Sequence, residues 1–69
     1  MIRTDCIDVR GMHCGGCERS VRTAIEALAG VRSARADHLA DEVEVTYDSG
    51  LVDLAAIRAV VAGAGFVAA

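Results

Sequence analysis

Apolar and polar residues alternate along three stretches of this chain, which predicts three strands that each have one buried face. The stretches are Ile2–Arg10, Val31–Asp37 and Val43–Tyr47. In the first stretch, Ile7 and Val9 share the parity that faces the core. Cys6 falls on the other parity, so we expect it on the face of the sheet away from the helices. A fourth, short strand is predicted over Phe66–Ala69.

Between these strands the apolar spacing changes to three and four residues, which predicts two amphipathic helices. The first helix is predicted over Glu18–Ala29, with Gly30 ending it at the C′ position. Its buried side comprises Val21, Ala24, Ile25 and Leu28. The second helix is predicted over Leu54–Ala64, with Asp53 as its N-cap and Gly65 at its end. Its buried stripe comprises Leu54, Ile57, Val61 and Ala64.

The order of these elements predicts an α+β fold with the topology βαββαβ. Two helices would pack on one face of a four-stranded antiparallel sheet, which is the split βαβ arrangement. The chain has 69 residues, of which 54% are hydrophobic, so we expect a single domain over residues 1–69 with a small core. Because the chain contains one Tyr, one Phe and no Trp, that core must consist of Val, Ile, Leu and Ala.

The charge of the chain argues against two classes of partner. Its formal net charge is −3 and it contains no Lys, whereas nucleic acids and anionic membranes select proteins with basic stripes or clusters. The longest apolar run, 54–67, is interrupted by Arg58 and contains two glycines, so we expect no membrane insertion. The first residues lack the apolar stretch of a signal peptide, which favours a cytoplasmic protein.

The stretch Gly11-Met12-His13-Cys14-Gly15-Gly16-Cys17 places two thiols where a predicted strand leads into a predicted helix. The two intervening glycines put no steric limit on the turn, so both sulfurs can reach one atom. We expect Cys17 in the first turn of the helix, where unbonded backbone N–H groups and the helix dipole favour the thiolate. The thiolate is the form that binds soft metal ions. Cys14 and Cys17 are therefore the candidate metal ligands.

The number of ligands favours Cu(I) over zinc. Structural zinc sites use four protein ligands, whereas the chain offers two close thiols and His13 as a candidate third ligand. Adjacent side chains on an extended loop tend to point apart, so a solvent-exposed His13 is the alternative. Zn(II), Cd(II) and Hg(II) stay open as alternatives to Cu(I), because all of them bind thiolates.

The other chemically active residues are expected to lie outside the site. Most of a strand separates Cys6 from Cys14, so we expect an ordinary free thiol at Cys6. His38 lies in the predicted turn 38–42 and is expected to be solvated, as are the acidic residues on the strands. No acid–base pair or triad is visible, so we expect no enzyme. A redox function like that of thioredoxin is disfavoured because the chain contains no Pro.

Several motifs of the chain together resemble the heavy-metal-associated domain family. They are Gly11-Met12-x-Cys14-x-x-Cys17, Val21, Leu28, Gly30-Val31, Val43-x-Val45-x-Tyr47-Asp48 and Ala64-Gly65-Phe66. The resemblance implies a ferredoxin-like fold in which Cys14 and Cys17 are the metal ligands. It also implies that Met12 turns inward and holds the loop, and that Phe66 lies beside the loop and shields the metal.

The same resemblance implies a function in metal transfer. The family includes cytosolic copper chaperones, amino-terminal domains of heavy-metal P-type ATPases and periplasmic mercury-binding proteins. A chaperone would hand Cu(I) by thiolate exchange to a partner such as a copper-transporting P-type ATPase or its metal-binding domain. The alternative is that the chain is itself such an ATPase domain. We expect a monomer without metal, with a metal-bridged homodimer as a further alternative. His13, in place of the more common Thr or Ser, and the additional thiol of Cys6 leave the metal open.

Overall fold

The computed structural model describes residues 1–68, which form six elements in the predicted order. They are β1 (Ile2–Arg10), α1 (Gly15–Glu26), β2 (Val31–Asp37), β3 (Glu42–Asp48), α2 (Leu54–Gly63) and β4 (Val67–Ala68). The strands form one antiparallel sheet in the order β2-β3-β1-β4. Residues of both helices and of one parity of the strands make up a single buried cluster. Both helices therefore cover the same face of the sheet, which confirms the α+β, ferredoxin-like prediction.

The core lies between the sheet and the helices and consists mainly of Val and Ile. The strand register places core residues of neighbouring strands side by side: Val43 is paired with Ile7 of β1, and Val45 with Ala34 of β2. The largest fully buried side chains are Ile25, Ile57, Val9, Val21, Val43, Val45 and Val61. The other parity of β1 is exposed, and Cys6 lies there as predicted.

The first helix covers Gly15–Glu26 rather than the predicted Glu18–Ala29. Cys17 lies in the first helical turn, as expected from the thiol motif, but Gly15 and Gly16 carry no apolar periodicity, so the pattern could not show that the helix begins with them. At the other end the C-cap is Ala27. The Leu28 N–H then donates to the Ile25 carbonyl at 3.0 Å, which is a 3₁₀-type hydrogen bond that ends the helix. Gly30 has a φ of +95° but lies in the following turn, which the Val31 N–H closes by donating to the Leu28 carbonyl at 3.2 Å, and Leu28 is the residue directly after the C-cap. The prediction that Gly30 is the C′ residue is therefore wrong.

The second helix, Leu54–Gly63, begins at the predicted residue. The carboxylate of Asp53 accepts a hydrogen bond from the Ala56 N–H at 2.9 Å, which confirms Asp53 as the N-cap. Ile57 and Val61 of the predicted stripe are fully buried against the sheet. These two side chains fix the helix on the core.

The second helix ends in a Schellman motif. Ala64 is the C-cap and is exposed, so its predicted place in the helix and in the buried stripe is wrong. Gly65 follows at C′ with a φ of +96°, as predicted, in a conformation that only Gly adopts without strain. The Phe66 N–H then donates to the Val61 carbonyl at 3.2 Å, which satisfies one of the last helical carbonyls.

Three connections meet at the end of the sheet where β1 finishes. One is the segment Gly11–Cys14, hereafter the metal loop, which joins β1 to α1. The turn 38–41 between β2 and β3 lies at the same end, because the Val9 N–H donates to the Asp41 carbonyl at 2.9 Å. The connection from α2 to β4 is the third, since Phe66 contacts the start of the metal loop.

The last strand is shorter than predicted. Strand β4 contains Val67 and Ala68, which pair with the end of β1, and Phe66 precedes the strand instead of starting it. Ala69, the last residue of the predicted strand, lies outside the described residues. None of the helices described for residues 1–68 is long and apolar enough to cross a membrane.

Candidate metal centre

Cys14 and Cys17 lie together at the N-terminus of α1, where the sequence predicted them. Cys14 is the N-cap, with extended backbone angles of φ −161° and ψ 178°, and Cys17 is in the first helical turn. Their Sγ atoms are 4.0 Å apart. Among residues 1–68 both thiols are free; Cys14 is exposed, and Cys17 is half-buried and packs against the core. One sulfur is thus open to an incoming group while the other is anchored.

The distance between the sulfurs suits one metal ion bound by both. With a metal–sulfur bond of about 2.3 Å, as zinc makes to thiolate, two sulfurs 4.0 Å apart give an S–metal–S angle of about 120°. Such an angle leaves a coordination position open on the exposed side.

The start of the helix changes the acidity of Cys14. The Cys17 backbone N–H, followed by that of Gly16 and by the Cys17 thiol, lowers the pKa of the Cys14 thiol. Desolvation of the thiol, and after it the negative charge of the Glu18 carboxylate, act in the opposite direction and raise this pKa. This stabilisation acts on the N-cap residue, Cys14, whereas the effect that the sequence analysis expected at Cys17 stays a prediction. Helix N-termini favour thiolate for the reason anticipated, because their N–H groups and dipole point at the sulfur.

Met12 and Phe66 lie behind the metal loop. Met12 is the one buried residue of the loop, with 4% of its surface exposed, and belongs to the core cluster. This inward position agrees with what the family resemblance implied. Phe66 is half-buried, and a Cβ built on Gly11 would stand 3.6 Å from its Cδ1 atom. The ring therefore lies beside the loop, while its shielding of a bound metal stays a prediction.

His13 and Cys6 are not brought together with the two candidate ligands. His13 is exposed on the metal loop, and the described part of the chain contains no cluster of three potential metal-ligating side chains. Its role as third ligand therefore stays a prediction for the metal-bound protein. Cys6 lies on the open face of the sheet, opposite Glu44 of β3.

His38 is not solvated as predicted. Its backbone N–H donates to Oε2 of Glu18 at 2.7 Å, and its ring Nδ1 contacts the same oxygen at 2.7 Å. Glu18 directly follows Cys17, so this contact lies at the edge of the site. Sequence reasoning missed it because the residues are 20 positions apart, and only the return of β2 to this end of the sheet brings them together.

A βαββαβ sandwich with an exposed Cys-x-x-Cys pair between β1 and α1 defines a class of small metal-binding domains. The profile of the heavy-metal-associated domain matches residues 7–66. The chain belongs to this family.

Relatives of the chain include both free proteins and parts of larger ones. It is 34% identical over 66 residues to the probable copper-transporting ATPase PacS of Synechococcus elongatus, covering 96% of this chain but 9% of that ATPase. It is 33% identical over 60 residues to the copper chaperone CopZ of Staphylococcus haemolyticus, covering 87% of this chain and 88% of CopZ. Among solved structures, a copper-binding domain from the P-type ATPase HMA7 superposes with a TM-score of 0.94. It is 33% identical, and the match covers 97% of this chain and 90% of that domain.

Proposed function

We propose that this chain binds Cu(I) through the thiolates of Cys14 and Cys17 and passes it on by ligand exchange. The observation that carries the proposal is the pair of free sulfurs 4.0 Å apart at the exposed N-terminus of α1. Two thiolates satisfy a soft monovalent ion and are too few for a closed zinc site. Relatives named as copper chaperones and copper-transporting ATPases support copper as the metal.

Transfer would proceed through a complex in which the metal is held by three sulfurs. A thiolate of the partner would enter at the open coordination position, and the partly anchored Cys17 or the exposed Cys14 would then leave. The partner we propose is a heavy-metal P-type ATPase or its metal-binding domain, because such domains share this fold and relatives of both kinds are similar to this chain. Exchange between similar thiol pairs needs near-equal affinity in donor and acceptor.

A second candidate function is that of a regulatory domain at the amino terminus of such an ATPase. The similarity to a short segment of PacS supports it as directly as the similarity to CopZ supports a free chaperone. Zn(II), Cd(II) and Hg(II) stay as alternative ions, since each binds thiolates. Coordination by His13 would favour zinc among these, because imidazole is a good zinc ligand.

Competition against chelators of known affinity tests the metal. The reduced protein is titrated with Cu(I) and with Zn(II), alongside Cys14→Ser, Cys17→Ser, His13→Ala and Cys6→Ser. We expect tight Cu(I) binding that either of the first two substitutions abolishes, and affinities within about tenfold of wild type for the last two. Wild-type protein without cuprous affinity, or a Cys14→Ser/Cys17→Ser variant that keeps it, would disprove the proposal.

Transfer and assembly are tested with the loaded protein. Mixing the Cu(I)-loaded chain with a metal-free domain of a copper-transporting ATPase, followed by separation, should distribute the metal between both. Size-exclusion chromatography of the metal-free and loaded forms distinguishes a monomer from a metal-bridged homodimer. A loaded chain that retains all its copper in excess acceptor would contradict transfer while leaving binding intact.

A further inference from the structure

The turn 38–41 is bonded to both ends of the segment that carries the two cysteines. On one side, the Val9 N–H, just before the metal loop, donates to the Asp41 carbonyl at 2.9 Å. On the other side, Glu18, just after Cys17, accepts two hydrogen bonds from His38. The turn therefore connects the strand that enters the metal loop to the helix that leaves it.

The contact between Glu18 and His38 is well defined. Both bonds end on Oε2 of Glu18 at 2.7 Å, one from the backbone N–H and one from ring Nδ1. Because a carboxylate only accepts, Nδ1 carries the proton in this contact. The two side chains are 26% and 31% exposed, so the contact is partly sheltered from water. A carboxylate oxygen with two donors, one of them from the backbone, is held in one place.

The first turn of α1 needs such support. Its N-cap is Cys14, whose thiol is a weak acceptor: the Cys17 and Gly16 N–H groups lie near the sulfur, but in the described residues it makes no regular side-chain capping hydrogen bond. Gly15 and Gly16 follow, and Gly is among the poorest helix formers. By contrast, α2 has Asp53 as a regular N-cap. The first hydrogen bond of α1, from the Glu18 N–H to the Cys14 carbonyl at 3.1 Å, closes the turn that sets the separation of the sulfurs.

We propose that Glu18 and His38 are positioning residues for the Cys14–Cys17 pair. Their contact ties the first turn of α1 to the turn 38–41 and holds the two sulfurs ready for one metal ion. The proposal rests on the proposed function where it concerns metal, whereas its effect on the helix is measurable without metal.

The test compares variants that remove the contact with variants that keep it. Glu18→Ala removes both bonds and His38→Ala removes one, whereas Glu18→Gln keeps an accepting oxygen without charge and His38→Asn keeps a side-chain donor. Arg19→Ala is the matched control on the exposed side of the same turn. Cu(I) affinity is measured by competition, and amide hydrogen exchange by NMR on the metal-free protein. The Ile57 N–H, bonded to the Asp53 carbonyl at 3.2 Å, is the equivalent amide of α2 and the internal reference.

We expect Glu18→Ala to weaken Cu(I) binding by about three- to tenfold, with a smaller loss in His38→Ala. The amide at position 18 should exchange faster in both, while that of Ile57 stays unchanged. Glu18→Gln and His38→Asn should restore most of the affinity. The double variant Glu18→Ala/His38→Ala should lose no more than Glu18→Ala alone, because both act through one contact.

The outcomes separate this proposal from the proposed function. If wild type binds Cu(I) tightly and Glu18→Ala binds it as well as Arg19→Ala does, the positioning role is overturned and the function stands. The same conclusion follows if the losses of the two single variants add in the double variant. If wild type shows no cuprous affinity, the proposed function falls, and the role of the pair in metal binding falls with it.

Discussion

The ring of Phe66 lies beside Gly11, so that a Cβ built on that glycine would stand 3.6 Å from Cδ1. This contact joins the connection between α2 and β4 to the start of the metal loop. Gly11 has a φ of +100°, so the chain turns sharply as it leaves β1. Met12, the next residue, is buried in the core cluster, and Phe66 packs against the same cluster.

Phe66→Ala should loosen the metal loop and reduce stability. A half-buried ring contributes about half of the roughly 1.5–3 kcal/mol of a fully buried Phe, so we expect a loss of about 0.8–1.5 kcal/mol in the free energy of unfolding. Urea denaturation measures this loss, and the rate of thiol alkylation at Cys14 and Cys17 measures access to the site, which should rise. Val67→Ala, at a neighbour that is 62% exposed, is the control and should cost less than about 0.5 kcal/mol. Equal effects of the two variants would show that the ring does not hold the loop.

Cys14 should be the most reactive thiol of the metal-free protein. The backbone N–H groups of Cys17 and Gly16 lower the pKa of its thiol, so a larger share is thiolate at neutral pH, and the side chain is exposed. Brief treatment with iodoacetamide followed by mass mapping should therefore label Cys14 about three- to tenfold faster than Cys6. Cys6, exposed on a strand, is the internal reference. Unfolding in urea should bring the two rates together, and a difference that persists in urea would refute a folded-state origin.

Two glycines at the end of α2 should respond to the same substitution in opposite directions. Gly65 has a φ of +96°, which an L side chain adopts only with strain, so Gly65→Ala should lower the free energy of unfolding by about 1–2 kcal/mol. Gly63 is helical, and a Cβ there would have no neighbour within 4 Å in the part of the chain that the structure describes. Gly63→Ala should therefore raise the same free energy by about 0.5–1 kcal/mol. Thermal or urea unfolding decides both signs, and a stabilising Gly65→Ala would contradict the C′ assignment.

The parts of the fold that sequence could predict are those whose signal is local. Alternation fixed the parity of β1, so the exposed position of Cys6 was predictable. The candidate ligands were also predictable, because Cys14 and Cys17 are three positions apart and one helical turn brings them together. The start of α1 was not, since Gly15 and Gly16 have no apolar side chain to report a period.

The contacts that surround the site depend on the sheet and therefore escaped prediction. His38 reaches Glu18 only because of the sheet topology. Strands β1 and β2 are both antiparallel to β3, so β2 ends at the same end of the sheet as β1, beside the start of α1. Asp5 was expected to be solvated, yet it is half-buried and accepts a hydrogen bond from Tyr47, 42 positions away. The first contact depends on where a strand ends and the second on which strands are paired, and a single sequence shows the parity of a strand but not its partner.

Tyr47 should make stability depend on pH in the alkaline range. Its hydroxyl donates to Oδ2 of Asp5 at 2.6 Å, and this hydrogen bond, followed by burial, raises the pKa of Tyr47 above its ordinary 10.0. A pKa that is higher in the folded state gives stability that is complete below about pH 10 and is lost as the pH rises through the folded value. Tyr47→Phe should therefore be less stable than wild type near neutral pH and should lose less stability above pH 10.

The titration itself can be observed directly, because Tyr47 is the sole tyrosine in the sequence. Phenolate absorbance of the folded protein should rise at a higher pH than that of the protein in urea. Asp5→Asn keeps an accepting oxygen but removes the negative charge, so the folded midpoint should move back toward the value in urea while the hydrogen bond stays. Urea unfolding at several pH values then measures the matching loss of stability. Because the phenol releases a single proton, the slope of the free energy of unfolding against pH that Tyr47 contributes cannot exceed that of one proton. A folded midpoint at or below that in urea would mean that the hydrogen bond to Asp5 does not hold the phenol in its neutral form.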